Sequence, residues 1–278
     1  MSISLPTYTR REMPLLRRRD RVRTIITTGL RREFKRPAAI VVTGLGVAIT
    51  TISSIVIVLF ISLIVPGQAR DLSFFFIPAS NNAILFFVTL MASVVGSGLI
   101  ADDLNSMALT LYLSRPITQA DYLVAKAGIL APLVAMVAVL PLVLTPFVTA
   151  LLGYFPWDIA LEAMGLSLLI GVLFTAFYTS VSLFLSSLTR RRSYAAAGVF
   201  AVTFGLTIPA EILAGATNTP SLLYLSPWED FLQVARAAFG ATGGVIDWPG
   251  ALAILLGATV VASLVTYLRM KAVEVVSG

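Results

Sequence analysis

The stretch ADDLNSMALTLYLSRPITQADYLVAK, residues 101–126, is a polar interruption between two long hydrophobic segments. Each of these segments is about 18 residues long or longer with few charges, which is the length and composition that a helix needs to cross a bilayer. The interruption contains acidic, hydroxyl and basic side chains, and a proline that should end any helix before it. We therefore interpret residues 101–126 as a loop outside a membrane.

The composition of the whole chain supports this interpretation. Of the 278 residues, 58% are hydrophobic and 12% are charged, whereas soluble domains have about 45–50% apolar and about 25% charged residues. A soluble fold would have to hide several such apolar runs in one core. The expected class is an all-α membrane protein with six transmembrane helices, an N-terminal amphipathic interfacial helix, and a cytoplasmic coupling helix between the second and third spans.

Several kinds of catalysis are excluded by the residues that the chain lacks. It contains no cysteine and no histidine, so thiolate nucleophiles, imidazole bases and the usual zinc ligands are missing. A Ser–Lys dyad would need a lysine within a span, yet Lys35, Lys126 and Lys271 lie at the edges of hydrophobic runs. No phosphate-binding loop of the form G-x-x-x-x-G-K-[ST] occurs. We predict that the chain is not an enzyme by itself and binds no cofactor or metal.

Lysine and arginine positions predict the orientation of the spans. The predicted spans are residues 38–65, 82–100, 127–152, 159–188, 194–214 and 250–269, which divides the chain into a basic N-terminal part, 1–36, and a transmembrane domain, 37–278. If the N-terminus is cytoplasmic, 18 of the 20 lysines and arginines lie on the cytoplasmic side and only Arg70 and Arg236 lie outside. This bias predicts that both termini are cytoplasmic in a multi-pass protein of the cell membrane.

The basic N-terminal part contains the pattern of an amphipathic helix. Its apolar residues recur on one face, and most of the basic residues fall on the opposite face. Because this segment lies directly before a span, we assign its arginines to lipid phosphates and topology rather than to nucleic acid. Such a helix could lie on the bilayer only, or also contact a cytoplasmic partner. The face that defines it is formed by Val22, Ile25, Ile26, Leu30 and Phe34.

The loop at residues 101–126 contains signals for two helices. Asp102 and Asp103 precede an i, i+3, i+4, i+7 apolar row that begins at Leu104, which fits a short helix with acidic residues at its positive end. After the break at residues 114–116, Thr118 and Asp121 have the spacing of a capping box that starts the helix of the third span. The spacing alone is also compatible with a simple re-entry loop.

The residues of this loop resemble the first cytoplasmic loop of permease subunits in ATP-binding cassette (ABC) transporters of the type 2, exporter-like class. In that family an acidic short helix is followed by a leucine-rich segment, a Ser-Arg-Pro-like turn, and a Tyr-Leu pair before a lysine. Here those elements are Asp102 and Asp103, residues 109–113, residues 114–116, Tyr122 with Leu123, and Lys126. Gln119 and Ala125 depart from the commoner pattern, where a basic residue and a glycine are frequent.

The resemblance implies a function and a set of partners. It implies an export permease that pairs with a second permease subunit, identical or different, above two copies of a separate cytoplasmic ATPase that binds ATP and Mg. Nucleic acid is not an expected partner. The residues that the resemblance assigns to the ATPase interface are Asp102, Asp103, Met107, Leu111, Ser114, Arg115, Pro116, Asp121, Tyr122 and Lys126.

The remaining features concern the spans and the outer side. Three prolines, at 132, 141 and 146, should kink or divide the third span unless neighbouring spans compensate. The small and hydroxyl residues of the fourth span indicate close helix packing or a polar path. The segment SPWEDFLQVARAAFG, residues 226–240, predicts a short helix capped by Ser226, with Glu229, Asp230, Gln233 and Arg236 facing water. It either lies at the outer interface and enters the membrane part-way, or is a surface helix that only connects two spans.

Two other functions remain open at this point. A secondary carrier would need ionisable residues within the spans, where Glu162 and Glu211 are the only candidates and both lie near span ends. A membrane scaffold or assembly protein would need no transport path.

Overall fold

A computed structural model describes residues 17–64, 71–107 and 117–276. Within these ranges the fold is helical and contains no β-strand. Six of the helices found there are long and apolar enough to cross a membrane, which confirms the predicted fold class and number of spans. In chain order they are Pro37–Ile64, Asn82–Asn105, Gln119–Leu151, Trp157–Leu188, Arg192–Thr217 and Trp248–Ala272.

The helices extend beyond the predicted spans at two important positions. The second span continues to Asn105, and the helix of the third span already begins at Gln119. Both extensions contain charged side chains, which lower their hydropathy below that of a span although they are compatible with a helix. The last span continues as helix to Val276.

The second span lies at the centre of the bundle. Of its most apolar window, 72% is buried, compared with 17% for the first span and 22% each for the fifth and sixth spans. The third and fourth spans pack against each other along their lengths. The first, fifth and sixth spans therefore present long apolar surfaces to whatever surrounds the bundle.

The second span contains a π-helical segment, Ala92–Gly96, which hydroxyl groups of the fourth span contact. Ser182 donates a hydrogen bond to the carbonyl of Ala92 at 2.8 Å. Ser186 accepts from the backbone amides of Ile100 and Ala101 at 3.1 and 3.0 Å. These contacts support the packing interpretation of the hydroxyl-rich fourth span.

The prolines of the third span do not divide it. The helix runs without a break from Gln119 to Leu151 through all three of them, so the case in which neighbouring spans compensate is the one found. Long helices tolerate internal prolines in membranes where neighbouring helices and hydroxyl groups compensate. Here the fourth span packs against this helix along its length.

The two ends of the bundle differ in charge. The basic end carries the N-terminal helix, Arg18–Glu33, and the connections between the second and third and between the fourth and fifth spans. The opposite, acidic end carries the other three connections. Among the described residues it has one basic side chain, Arg236, and seven acidic ones: Asp71, Asp158, Glu162, Glu211, Glu229, Asp230 and Asp247.

A short helix, Pro227–Ala238, enters the bundle from the acidic end between the fifth and sixth spans, and we call it the re-entrant helix. Ser226 caps it as predicted by accepting from the amide of Glu229 at 3.1 Å. The predicted water-facing side was wrong in part, because Asp230 and Gln233 are buried. The sequence pattern separates a polar side from an apolar side of this helix, but it does not show that other parts of the chain cover the polar side as well.

Candidate functional site at the basic end

The predicted interface residues fall into three groups. Asp102 and Asp103 lie in the last turns of the second span, and Met107 follows its end. Asp121, Tyr122 and Lys126 lie in the first turns of the third span. The remaining four, Leu111, Ser114, Arg115 and Pro116, lie outside the described residues.

The structure corrects the prediction that Asp102 and Asp103 start a separate helix. They lie near the C-terminal end of Ser97–Asn105, and the amide of Ser106 closes that end on the carbonyl of Asp102 at 2.9 Å. Met107 then adopts a left-handed backbone with φ 53° and is 69% exposed. The apolar row beginning at Leu104 is thus broken at Met107, because a left-handed residue cannot continue a right-handed helix.

The capping box at the start of the third span is confirmed and includes a third residue. The amide of Asp121 donates to the Thr118 hydroxyl, and the Asp121 carboxylate accepts from the amide of Thr118, both at 3.2 Å. Arg18 of the N-terminal helix donates to both Asp121 oxygens at 2.9 Å and to Thr118 at 3.2 Å. Asp121 therefore caps the start of the third-span helix and also pairs with Arg18 at the start of the N-terminal helix.

Asp103 connects the second span to the third span across the loop. Its Oδ2 lies 2.6 Å from Nζ of Lys126 and accepts a hydrogen bond from the Tyr122 hydroxyl at 2.8 Å. Tyr122 and Lys126 are buried. Because a charge with so little access to water is stable only when paired, this cluster fixes the two helices on either side of residues 108–116.

The N-terminal helix packs on the third span through two glycines. Gly29 receives the side chain of Ile129, and Gly128 receives that of Ile26, so that a Cβ on Gly128 would stand 2.7 Å from Cδ1 of Ile26. Helices approach closely where one of them lacks a side chain. The N-terminal helix is therefore fitted to the third span at two points, and Arg18 fixes it at a third.

The apolar face predicted for this helix is only half covered. Val22, Ile25, Ile26 and Leu30 are half-buried, whereas Phe34 follows the helix end and is exposed. Two grooves flank the helix. A groove of about 590 Å³ is lined by Arg18, Arg19, Val22, Arg23, Ile26 and Asp121, and one of about 270 Å³ reaches the Asp103–Lys126 pair.

Sequence reasoning missed one connection at this end. Arg192, at the start of the fifth span, donates to the carbonyl of Val94 in the π-helical segment. A Cβ on Gly98 would stand 3.3 Å from Arg192 Cδ, so this glycine leaves room for the arginine. The run of three arginines at 190–192 was counted only as a topology signal, and nothing in the sequence indicates which of them turns inward.

The arrangement is suited to transmitting force rather than to catalysis. It brings together a fitted helix, a capped helix start and a buried ion pair at the basic end of the bundle. With six candidate spans above it, this arrangement belongs to a multi-pass membrane protein.

Comparison with known families agrees with this class. A family model described as ABC-2 family transporter protein matches residues 46–275. The chain belongs to this family and is the permease, the membrane component, of an ABC transporter, so the resemblance noted for the inner loop is confirmed at the level of the family. No curated protein matches the chain. Membership implies an ABC ATPase as partner in general terms, since the permease of this family is a transport component and not the catalyst.

Proposed function

We propose that the chain is one of two permease subunits of an exporter in the cell membrane, identical or different, and that two cytoplasmic ATPase subunits dock at its basic end. In this arrangement both termini are cytoplasmic, ATP and Mg bind in the ATPase subunits, and residues 101–126 with the N-terminal helix receive the movement of the ATPase. The substrate is carried between or beside the two permease subunits.

One observation carries this proposal. The N-terminal helix and the first turns of the third span form a single unit through Arg18, Asp121 and the two glycine contacts. Asp103 and Lys126 join that unit to the second span, which is the most buried span. A push on the loop at residues 108–116 would therefore reach the centre of the bundle through ordered contacts.

The charge pattern supports the orientation. The described basic end carries the arginines of the N-terminal helix and residues 190–192, and cytoplasmic segments of membrane proteins are enriched in such residues. The exposed apolar faces of the first, fifth and sixth spans are available for lipid and for a second permease subunit.

The experiment that tests the proposal is co-purification from cells that express the chain with its ATPase. Arg115→Glu, in the loop, is expected to lose most of the co-purified ATPase while still inserting into the membrane. Glu162→Lys, an exposed charge reversal at the acidic end, serves as the matched control and should retain it. Unchanged ATPase binding and unchanged stimulation of ATP hydrolysis in Arg115→Glu would contradict docking at this loop.

A further inference from the structure

The re-entrant helix is buried on two opposite sides. On one side Phe231 packs against Phe174 of the fourth span with ring centroids 4.2 Å apart. On the other side Asp230 and Gln233 are only 1% and 2% exposed. The segment after the helix covers this second side, since a Cβ on Gly244 would stand 3.1 Å from Oε1 of Gln233.

The start of this helix lies deep in the bundle. Ser226, its cap residue, is fully buried and lies 3.1 Å from the hydroxyl of Thr207 on the fifth span. Thr207 is ten residues before the end of that span, which corresponds to about 15 Å at the rise of an α-helix. Asp230 follows Ser226 by about one helical turn and is therefore remote from bulk water.

Among the described residues, the Asp230 carboxyl has no hydrogen-bond partner at either oxygen. The groups that usually serve a carboxylate in a first turn are occupied. The amide of Asp230 donates to the carbonyl of Ser226, that of Glu229 donates to the Ser226 hydroxyl, and the Gln233 amide donates to Glu229 at 2.7 Å. An ionised carboxylate buried without a partner is strongly unfavourable, so the neutral acid is the form that this site accommodates.

We propose that Asp230 is a proton-binding site and that the bound proton keeps the re-entrant helix seated in the bundle. Ionisation of Asp230 would place an unpaired charge between the helix and the segment that covers it, and would loosen the helix. This inference concerns the acidic end and does not depend on where the ATPase docks.

The surrounding charges agree with a retained proton. Burial, followed by the negative charge of Glu229, raises the pKa of Asp230 to about 7. Arg236, the one basic residue described at this end, is directed elsewhere, over the ring of Phe76 at 4.9 Å and towards the carbonyl of Gly243. The other titratable groups near this end on elements packed against the helix are Asp71, Asp158, Glu162, Tyr178, Glu211, Tyr224 and Asp247.

The direction of the pH effect follows from linkage. Because the pKa of Asp230 is higher in the seated state than the ordinary value of about 3.9, the seated state binds more protons between about pH 4 and about pH 7. Seating is therefore strongest below this window and is lost progressively as the pH rises through it.

Trp228, on the re-entrant helix, offers a direct measurement. It is buried, and the chain has only two other tryptophans, Trp157 and Trp248. With both replaced by phenylalanine, acrylamide quenching of Trp228 is measured in nanodiscs from about pH 4 to about pH 9. We expect quenching to rise several-fold with a midpoint inside the window between about pH 4 and about pH 7, and Asp230→Asn in the same background to show low quenching at every pH.

Two controls separate this site from general pH effects. Glu229→Gln should move the midpoint to higher pH, because without the neighbouring negative charge an ionised Asp230 is less unfavourable in the seated state. Glu162→Gln, at an exposed acid of the same end, should leave the curve unchanged. The proposal would be overturned by quenching that does not change with pH in the chain that retains Asp230. It would also be overturned if quenching in Asp230→Asn rose with pH as it does in that chain. If Asp230→Asn does not fold, infrared spectroscopy of the native sequence replaces it. A protonated-carboxyl band that disappears over the same pH range as the rise in quenching supports the proposal, and the absence of such a band contradicts it.

Discussion

Removal of the Lys126 ammonium should destabilise the fold more than any other single charge change at the basic end. In Lys126→Met the Asp103 carboxylate would lose a partner at 2.6 Å while remaining largely buried, since the two side chains are 9% and 17% exposed. Breaking a buried pair by deleting one partner costs about 3–5 kcal/mol, and the residual exposure of Asp103 reduces this to about 2–4 kcal/mol.

A second substitution should restore most of the loss. In Asp103→Asn with Lys126→Met the charge is gone, and the amide oxygen of the asparagine can still accept from the Tyr122 hydroxyl, which lies 2.8 Å from Oδ2 of Asp103. We expect the double variant to recover about 1–3 kcal/mol relative to Lys126→Met alone. Lys271→Met, at an exposed lysine near the same end, should change stability by less than about 0.5 kcal/mol.

The assay is reversible unfolding in mixed micelles with increasing SDS, followed by circular dichroism. It is applied to the native sequence, Lys126→Met, Asp103→Asn, the double variant and Lys271→Met. A double variant no more stable than Lys126→Met, or a coupling energy between the two positions below about 0.5 kcal/mol, would refute the reasoning. In that case the pair would be an exposed contact of little energetic value, and the second and third spans would be held by their packing alone.

Three further predictions concern single contacts. Gly128→Leu should release the N-terminal helix and speed tryptic cleavage at its arginines, because the new side chain would overlap Ile26. Gly165→Leu should not, since no described atom outside its own helix lies within 4 Å of a Cβ placed on Gly165. Ser186→Ala should cost about 1–3 kcal/mol because it removes a buried hydroxyl that accepts from the amides of Ile100 and Ala101 and donates to the carbonyl of Ser97. Ser187→Ala, whose hydroxyl bonds to its own helix, should cost less in the same SDS titration. Met107→Gly should be about 1 kcal/mol more stable than Met107→Ala, because only glycine adopts the left-handed backbone freely. Equal stabilities of the two variants would show that the backbone at position 107 leaves the left-handed conformation at no cost.

The spans and the helix start at Thr118 could be read from the sequence because both depend on neighbouring residues. A bilayer requires one long apolar run for each span, and a capping box needs only Thr118 and Asp121 three positions apart. The same local reasoning placed Asp102 and Asp103 wrongly. A periodic apolar row identifies a helix, but it does not show whether that helix is new or the end of the preceding one.

The features that escaped prediction depend on residues far apart in the chain. The pairing of Gly29 with Ile129 joins positions about a hundred residues apart, and each glycine has an ordinary local sequence. Asp230 was expected in water because its helix has one clearly apolar face. Its burial depends on the segment around Gly244, whose position no hydropathy pattern encodes.

The paired glycines also determine how the N-terminal helix can move. A slide of one helical turn along the third span, about 5.4 Å, would bring Ile26 opposite Val124 or Pro132 instead of Gly128, and Ile129 opposite Ile25 or Glu33 instead of Gly29. None of these positions can receive an isoleucine side chain. The N-terminal helix therefore has one register on the third span and cannot slide along it in small steps. A displacement of this helix either moves the third span with it or separates the two helices.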